Sequence, residues 1–227
     1  MPQVRDLRGD DGVQLRGAAL RKDYKVSFRR EESIKETAER VRAALGVSCR
    51  SDFSVTACIR RLTREPLLRK GLIELRFFRQ STPDPPAFVQ FKPIVTLNVD
   101  KDIWDEADEN IPSARDVLGH ELGHLTLHDH YAQLFSGLRE KWILEEESAE
   151  WQADRFCEYF LISDSDVKAY VTPNAISTHC AVPHHKAYRR LGRQFQYTDD
   201  ICPNCGNLTM VRCPRYLICD TCGSIIS

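Results

Sequence analysis

The 227-residue chain has no long apolar run, and nowhere approaches the roughly 18–20 consecutive apolar residues of a membrane-spanning helix. Its first residues, MPQVRDLRGDDGVQLRG, hold no apolar signal core. These absences argue against a membrane partner and predict a cytoplasmic protein. Net charge is also nearly absent, at −1, so the overall balance favours neither nucleic acid nor a membrane surface. Internal repeats and low-complexity tracts are missing too.

What is present fits a packed protein. Hydrophobic residues make up 42% and charged residues 29%, ordinary globular usage. The length suits one main domain with a small appendage. The charges are unevenly placed. Residues 59–79 carry seven Arg and Lys against Glu65 and Glu74, whereas residues 101–154 carry four basic and fourteen acidic residues. An acidic segment of that size favours a basic substrate over a phosphate backbone. Nine cysteines are unusual for this length, but four form two Cys-x-x-Cys pairs near the C-terminus. In a reducing compartment such pairs read as metal ligands, not disulfides.

Periodicity gives the organisation. Residues 1–25 are polar and weakly periodic, a loose leader. Ile34, Ala38, Val41 and Leu45 follow helical spacing up to Gly46, and Val55, Cys58, Ile59 and Leu62 mark a second helix. The period then falls to two in Ile73–Phe77 and Val95–Val99. With Phe88–Phe91 between them, three strands of a small sheet are predicted. A helix from about Ala114, with Ser113 as its cap and Asp116 in the capping-box position, runs through His120–His128. Further helices are expected over Glu145–Ile162 and from Pro183 to Leu191. Composition changes near residue 196, which divides the chain into a main domain, 26–196, and a cysteine module, 197–227.

The main domain holds His120-Glu121-Leu122-Gly123-His124. Residues four apart share one helix face, so both imidazoles can hold one zinc ion while Glu121 serves as general base toward a water. A third ligand must come from elsewhere. His130 has the ten-residue spacing of an extended motif, but Leu127 stands where that motif needs a glycine to turn the chain back. His128 lies a full turn beyond His124, too far along a straight helix to share the ion. Glu150, on the next helix, is the other candidate. Asp154 follows it one turn later and is suited to accept the second N–H of a ligand histidine.

The blocks HELGHLTLH, EWQADRFCEYFLIS and ISTHCAVPHHKAYRRL together resemble the ImmA/IrrE family of zinc metallopeptidases over roughly residues 30–195. Cys157 departs from that pattern where alanine is usual, as do Ile162-Ser163 for Met-Pro and Pro183 for serine; none is a proposed ligand. The resemblance implies an α+β, zincin-like domain. It also implies a cytosolic endopeptidase that cuts a partner helix-turn-helix repressor and so derepresses a stress, mobile-element or anti-phage defence operon.

In the C-terminal module, Cys202 and Cys205 pair with Cys219 and Cys222, each pair followed by glycine. Four thiolates close a structural zinc site, and so short a segment needs that metal to fold. A zinc ribbon is expected, which makes two zinc ions, one catalytic and one structural. Cys213, Cys180 and Cys49 remain as thiols able to occupy and inhibit the catalytic metal. His179, Cys180, His184 and His185 form a weaker metal-ligand cluster, and His184, His185, Tyr188 and Tyr131 are candidate oxyanion donors. A different class of function is also open: a DNA-binding regulator using the ribbon and the basic Lys186, Arg189, Arg190 and Arg193. A nucleic-acid activator of the same peptidase combines the two.

Overall fold

The computed structural model describes residues 23–48, 50–67, 72–79, 85–128, 143–192 and 197–226. Helix α1 (Glu31–Ala44) turns Ile34, Ala38 and Val41 inward and stops at Gly46, whose φ of 73° suits a residue without a side chain. Helix α2 (Val55–Leu62) starts where the Ser54 hydroxyl accepts from the Ala57 amide. Strands β1 (Glu74–Phe78), β2 (Ala87–Gln90) and β3 (Thr96–Asp100) form a sheet in the order β1-β3-β2, with β1 parallel and β2 antiparallel to β3. The sequence pattern of β3 suggests one wet face. Its central place in the sheet instead buries all five residues, Thr96, Asn98 and Asp100 included.

Asp100 ends β3 and caps α3 (Lys101–Asp108) by accepting from the Asp102 amide. That helix is absent from the periodicity reading. Helix α4 (Pro112–Leu127) carries the histidine motif. It begins earlier than expected, with Ile111 at the cap, Pro112 in the first turn and no side-chain cap bond, so Ser113 and Asp116 form no capping box. Proline's fixed φ suits the first helical position, where its missing N–H is not needed. A short 3-10 turn (Glu145–Glu147) precedes α5 (Ala149–Leu161), which Ser148 caps by accepting from Trp151. The expected start at Glu145 is therefore corrected to Ala149. Then come α6 (Asp164–Ala169), opened by a Ser163–Asp166 capping box, α7 (Pro173–Cys180) and α8 (His184–Leu191). A second sheet, β4 (Met210–Arg212), β5 (Leu217–Cys219) and β6 (Ile225–Ile226), is antiparallel throughout.

The molecule is thus α+β, with eight α-helices and two small sheets among the described residues. No helix among them is long and apolar enough to cross a membrane. One core joins α1–α5, the first sheet and α7–α8, and Val211 of β4 is buried in it. The second sheet adds a small cluster of its own around Cys202, Met210 and Cys219.

The contact between α4 and α5 decides the rest. A Cβ on Gly123 would stand 2.8 Å from the Ala153 carbonyl oxygen and 2.9 Å from its Cα. On Gly119 it would stand 2.8 Å from the Cys157 sulfur. Each glycine precedes a motif histidine: Gly123 lets the two helix backbones approach to a distance any side chain would forbid, and Gly119 makes room for the Cys157 side chain. Cys157 fills that seam and is fully buried.

Candidate metal centre

Close approach of α5 to α4 brings Glu150 onto the histidines. His120 and His124, one turn apart on α4, place their Nε2 atoms 3.0 Å from each other. Glu150 Oε2 lies 3.2 Å from His120 Nε2, and Oε1 lies 3.4 Å from His124 Nε2. Ligand atoms about 2.0–2.1 Å from a zinc ion in a tetrahedron stand roughly 3.3 Å apart, so these three donors match one triangular face. They are one of two groups among the described residues with the composition and spacing to hold a metal ion. His130 lies outside the described residues.

Hydrogen bonds on the far side of each imidazole fix which nitrogen faces the donor cluster. His120 Nδ1 donates to Asp154 Oδ1 at 3.0 Å, which turns its Nε2 toward the donor cluster. For His124 the argument runs through two more residues. The Gln152 amide nitrogen donates to the Ser27 and Glu146 carbonyls at 2.9 and 2.6 Å, so its oxygen faces His128 Nε2, 3.3 Å away. That nitrogen must then carry a hydrogen, leaving His128 Nδ1 as acceptor for His124 Nδ1–H at 3.0 Å. His124 Nε2 is thereby freed for a metal. His128 is not a ligand but orients one. Burial, together with the neighbouring His124, lowers its pKa to about 3 and keeps it neutral.

Electrostatics point the same way. Burial opposes protonation of His120, yet its bonds to Asp154 and Glu150 outweigh this and push it up to about 9. Burial alone would raise Glu150, but His120 and His124 hold it well below the usual carboxylate range. Asp154 is held low in the same way by His120 and Lys186. The site therefore favours positive charge among ionised carboxylates. Glu121 is only 3% exposed, and its charge acts on His120. A cleft of about 450 Å³ opens on the centre, lined by Asp116, Val117, His120, Glu150, Trp151 and Asp154.

The second group is the cysteine cluster. Cys202 and Cys222 place their sulfurs 3.7 Å apart, Cys205 and Cys219 3.6 Å apart, close to the roughly 3.8 Å edge expected for four thiolates around zinc. Each Cys-x-x-Cys turn closes by an amide of the following glycine: Gly206 to the Cys202 carbonyl and Gly223 to that of Cys219, both at 2.8 Å. Both glycines need positive φ, 74° and 73°. Hydrogen bonds from Asn204 and Ser224 pull the Cys222 thiol down to about 5, toward the thiolate a metal requires.

Other candidates fall elsewhere. Cys180 is buried and Cys213 half-buried; neither joins the His120 group, and Cys49 lies outside the described residues. His179 pairs with Tyr170 and His184 with Asp220, and the cluster of His179, Cys180, His184 and His185 is not a metal-binding group among the described residues. Tyr188 stacks on Tyr197, and Tyr131 lies outside the described residues. Lys186 is 3% exposed and bound to Asp154 and Asp116 at 2.9 and 3.2 Å. Arg189 pairs with Asp154 and Glu158, and Arg190 with Asp164. Lys186 is therefore spent inside the molecule, and Arg189 and Arg190 are paired with carboxylates of the same chain; Arg193 lies outside the described residues.

His128, Gln152 and Lys186 are the residues that the sequence reading did not place at the centre. Only the spacing of His128 from His124 hinted at any of them. No protein-family model, curated protein or solved structure matches the chain.

Proposed function

We propose that the chain is a zinc-dependent endopeptidase of the ImmA/IrrE type, whose substrate is a helix-turn-helix repressor. The observation that carries this reading is the convergence of three donors, His120, His124 and Glu150, at a cleft that His120 and Glu150 line, with Glu121 buried next in sequence to His120 and its charge acting on that imidazole. The donor set, two imidazoles and one carboxylate, is that of hydrolytic zinc sites, which keep a fourth position open.

Zinc bound there supplies Lewis acidity toward a peptide carbonyl. Glu121 accepts the proton of the attacking water and passes it to the leaving amine. Asp154 and His128 hold the two imidazoles in the tautomers that binding needs. The excess of acidic over basic residues across 101–154 suits a basic peptide segment such as a DNA-binding protein offers. The cysteine cluster takes a second, structural zinc.

The DNA-binding alternative is weakened because Lys186 is buried and Arg189 and Arg190 are paired with carboxylates of the same chain, whereas a recognition helix needs those charges free and outward. The test compares the wild type with Glu121→Gln, each incubated with helix-turn-helix repressors as candidate substrates. Zinc content should persist while cleavage disappears. Cleavage by the variant at the wild-type rate would refute the role of Glu121, and no cleavage by the wild type would refute the substrate.

A further inference from the structure

The cysteine module has no task in peptide hydrolysis itself, yet its contacts lead directly to the histidine site. Asp220 stands between the ligand-type residues Cys219 and Cys222 and is only 5% exposed. Its Oδ1 accepts from the Asn174 amide at the start of α7, at 2.8 Å. Its Oδ2 accepts from Tyr197 at 2.6 Å and from His184, the first residue of α8, at 3.2 Å. Tyr188, further along α8, stacks on Tyr197 with ring centroids 6.5 Å apart. Val211 and Ile218 fasten the same module to the main core.

At the other end, α8 grips the residue that orients His120. Asp154 Oδ1 receives both His120 Nδ1–H and the Lys186 ammonium, while Arg189 takes Oδ2 at 3.3 Å. Both oxygens of Asp154 are thus tied to α8, and the carboxylate can sit squarely on His120 only while α8 keeps its place.

We propose that the cysteine module is an internal brace for the histidine centre: Asp220 fixes α8, and α8, through Lys186 and Arg189, holds Asp154 on His120. The proposal rests on reading His120, His124 and Glu150 as a metal centre. Its consequence is coupling of the two sites. Metal at the cysteines closes the Cys219–Cys222 turn that carries Asp220, so stripping it frees α8 and loosens the grip on His120. Lys186 and Asp220 are then positioning residues, acting through Asp154 and never touching substrate.

Cobalt(II) titration of the full chain separates the two sites, because only the thiolate site shows strong sulfur-to-metal charge-transfer absorption. Asp220→Ala keeps all four cysteines. It is expected to keep the thiolate signal while the histidine site binds cobalt about tenfold more weakly, the size of a lost outer contact. Asp154→Ala should weaken the histidine site similarly. The double variant should be no weaker than Asp154→Ala alone, since both act along one path. Unchanged histidine-site affinity in Asp220→Ala, or losses that multiply in the double variant, would overturn the brace. If Asp220→Ala does not fold, His184→Ala serves instead, its side chain being half-exposed. It should lower the affinity in the same direction by less, and no change would overturn the proposal. A wild-type chain showing the thiolate signal alone would remove the metal-centre reading itself.

Discussion

Replacing Gly123 with alanine puts one methyl group into the seam that brings Glu150 to the histidines. The new Cβ would meet the Ala153 carbonyl oxygen at 2.8 Å, about 0.6 Å inside ordinary van der Waals contact, and the Ala153 Cα at 2.9 Å. Both are backbone atoms, so no rotamer change relieves the clash and α5 must move away from α4. Overpacking of this kind costs about 1–3 kcal/mol. The shift also reaches the site, because Glu150 lies one turn before Ala153 on the same helix and already stands 3.2 and 3.4 Å from the two Nε2 atoms. We expect zinc affinity at the histidine site to fall on the order of tenfold, about 1.4 kcal/mol, with a lowered melting temperature. Gly119→Ala is the internal comparison. Its nearest neighbours are side chains, Cys157 at 2.8 Å and Leu161 at 3.3 Å, so adding Cys157→Ala should recover most of the loss. Isothermal titration with zinc and a thermal melt of each variant are the assays. A Gly123→Ala protein with wild-type affinity and stability would refute the argument that glycine sets the helix spacing.

His128→Phe removes the acceptor for His124 Nδ1–H and should weaken zinc binding about 10–100-fold with the fold intact, as circular dichroism would show; unchanged affinity would deny His128 its orienting role. Arg115 is wholly buried and donates to the Phe53, Ala181 and Cys180 carbonyls and to Asn110. Arg115→Leu leaves those acceptors unsatisfied and should cost about 3 kcal/mol in urea unfolding, a loss below about 1 kcal/mol being contrary. Burial would raise Asp164 and Asp166, but Lys35 and Arg190 hold the first below its ordinary pKa, and Ser51 and Ser163 the second. Their contribution is present above the unfolded value of about 3.9 and is lost as pH falls below it toward their folded values. The Asp164→Asn, Asp166→Asn double variant should therefore show a flatter loss of stability on acidification below about pH 4 than the wild type.

Much of this was legible in the residues themselves. The helical spacing of α1 and α2, the two-residue alternation of the strands and the paired cysteines each carry their own local signal. Helix α3 was missed because Lys101–Asp108 is short, and Asp100 serves both as the end of β3 and as its cap. The start of α4 was misplaced because Ser113 looks like a cap, whereas Pro112 already occupies the first turn. At the centre, His120 and His124 needed only the helix period, and Asp154 followed from its spacing to Glu150. The His124–His128–Gln152 relay did not, because it depends on Ser27 and Glu146 fixing the amide of Gln152. Nor did the inward role of Lys186, whose partners Asp116 and Asp154 lie on two other helices. Charge in a sequence has no direction until packing gives it one.

Metal content of the full chain by native mass spectrometry tests the account most directly. Two zinc ions per chain are predicted, falling to one in His120→Ala, His124→Ala and to one in Cys202→Ser, Cys205→Ser. A single zinc in the wild type, unaffected by the histidine substitutions, would contradict it.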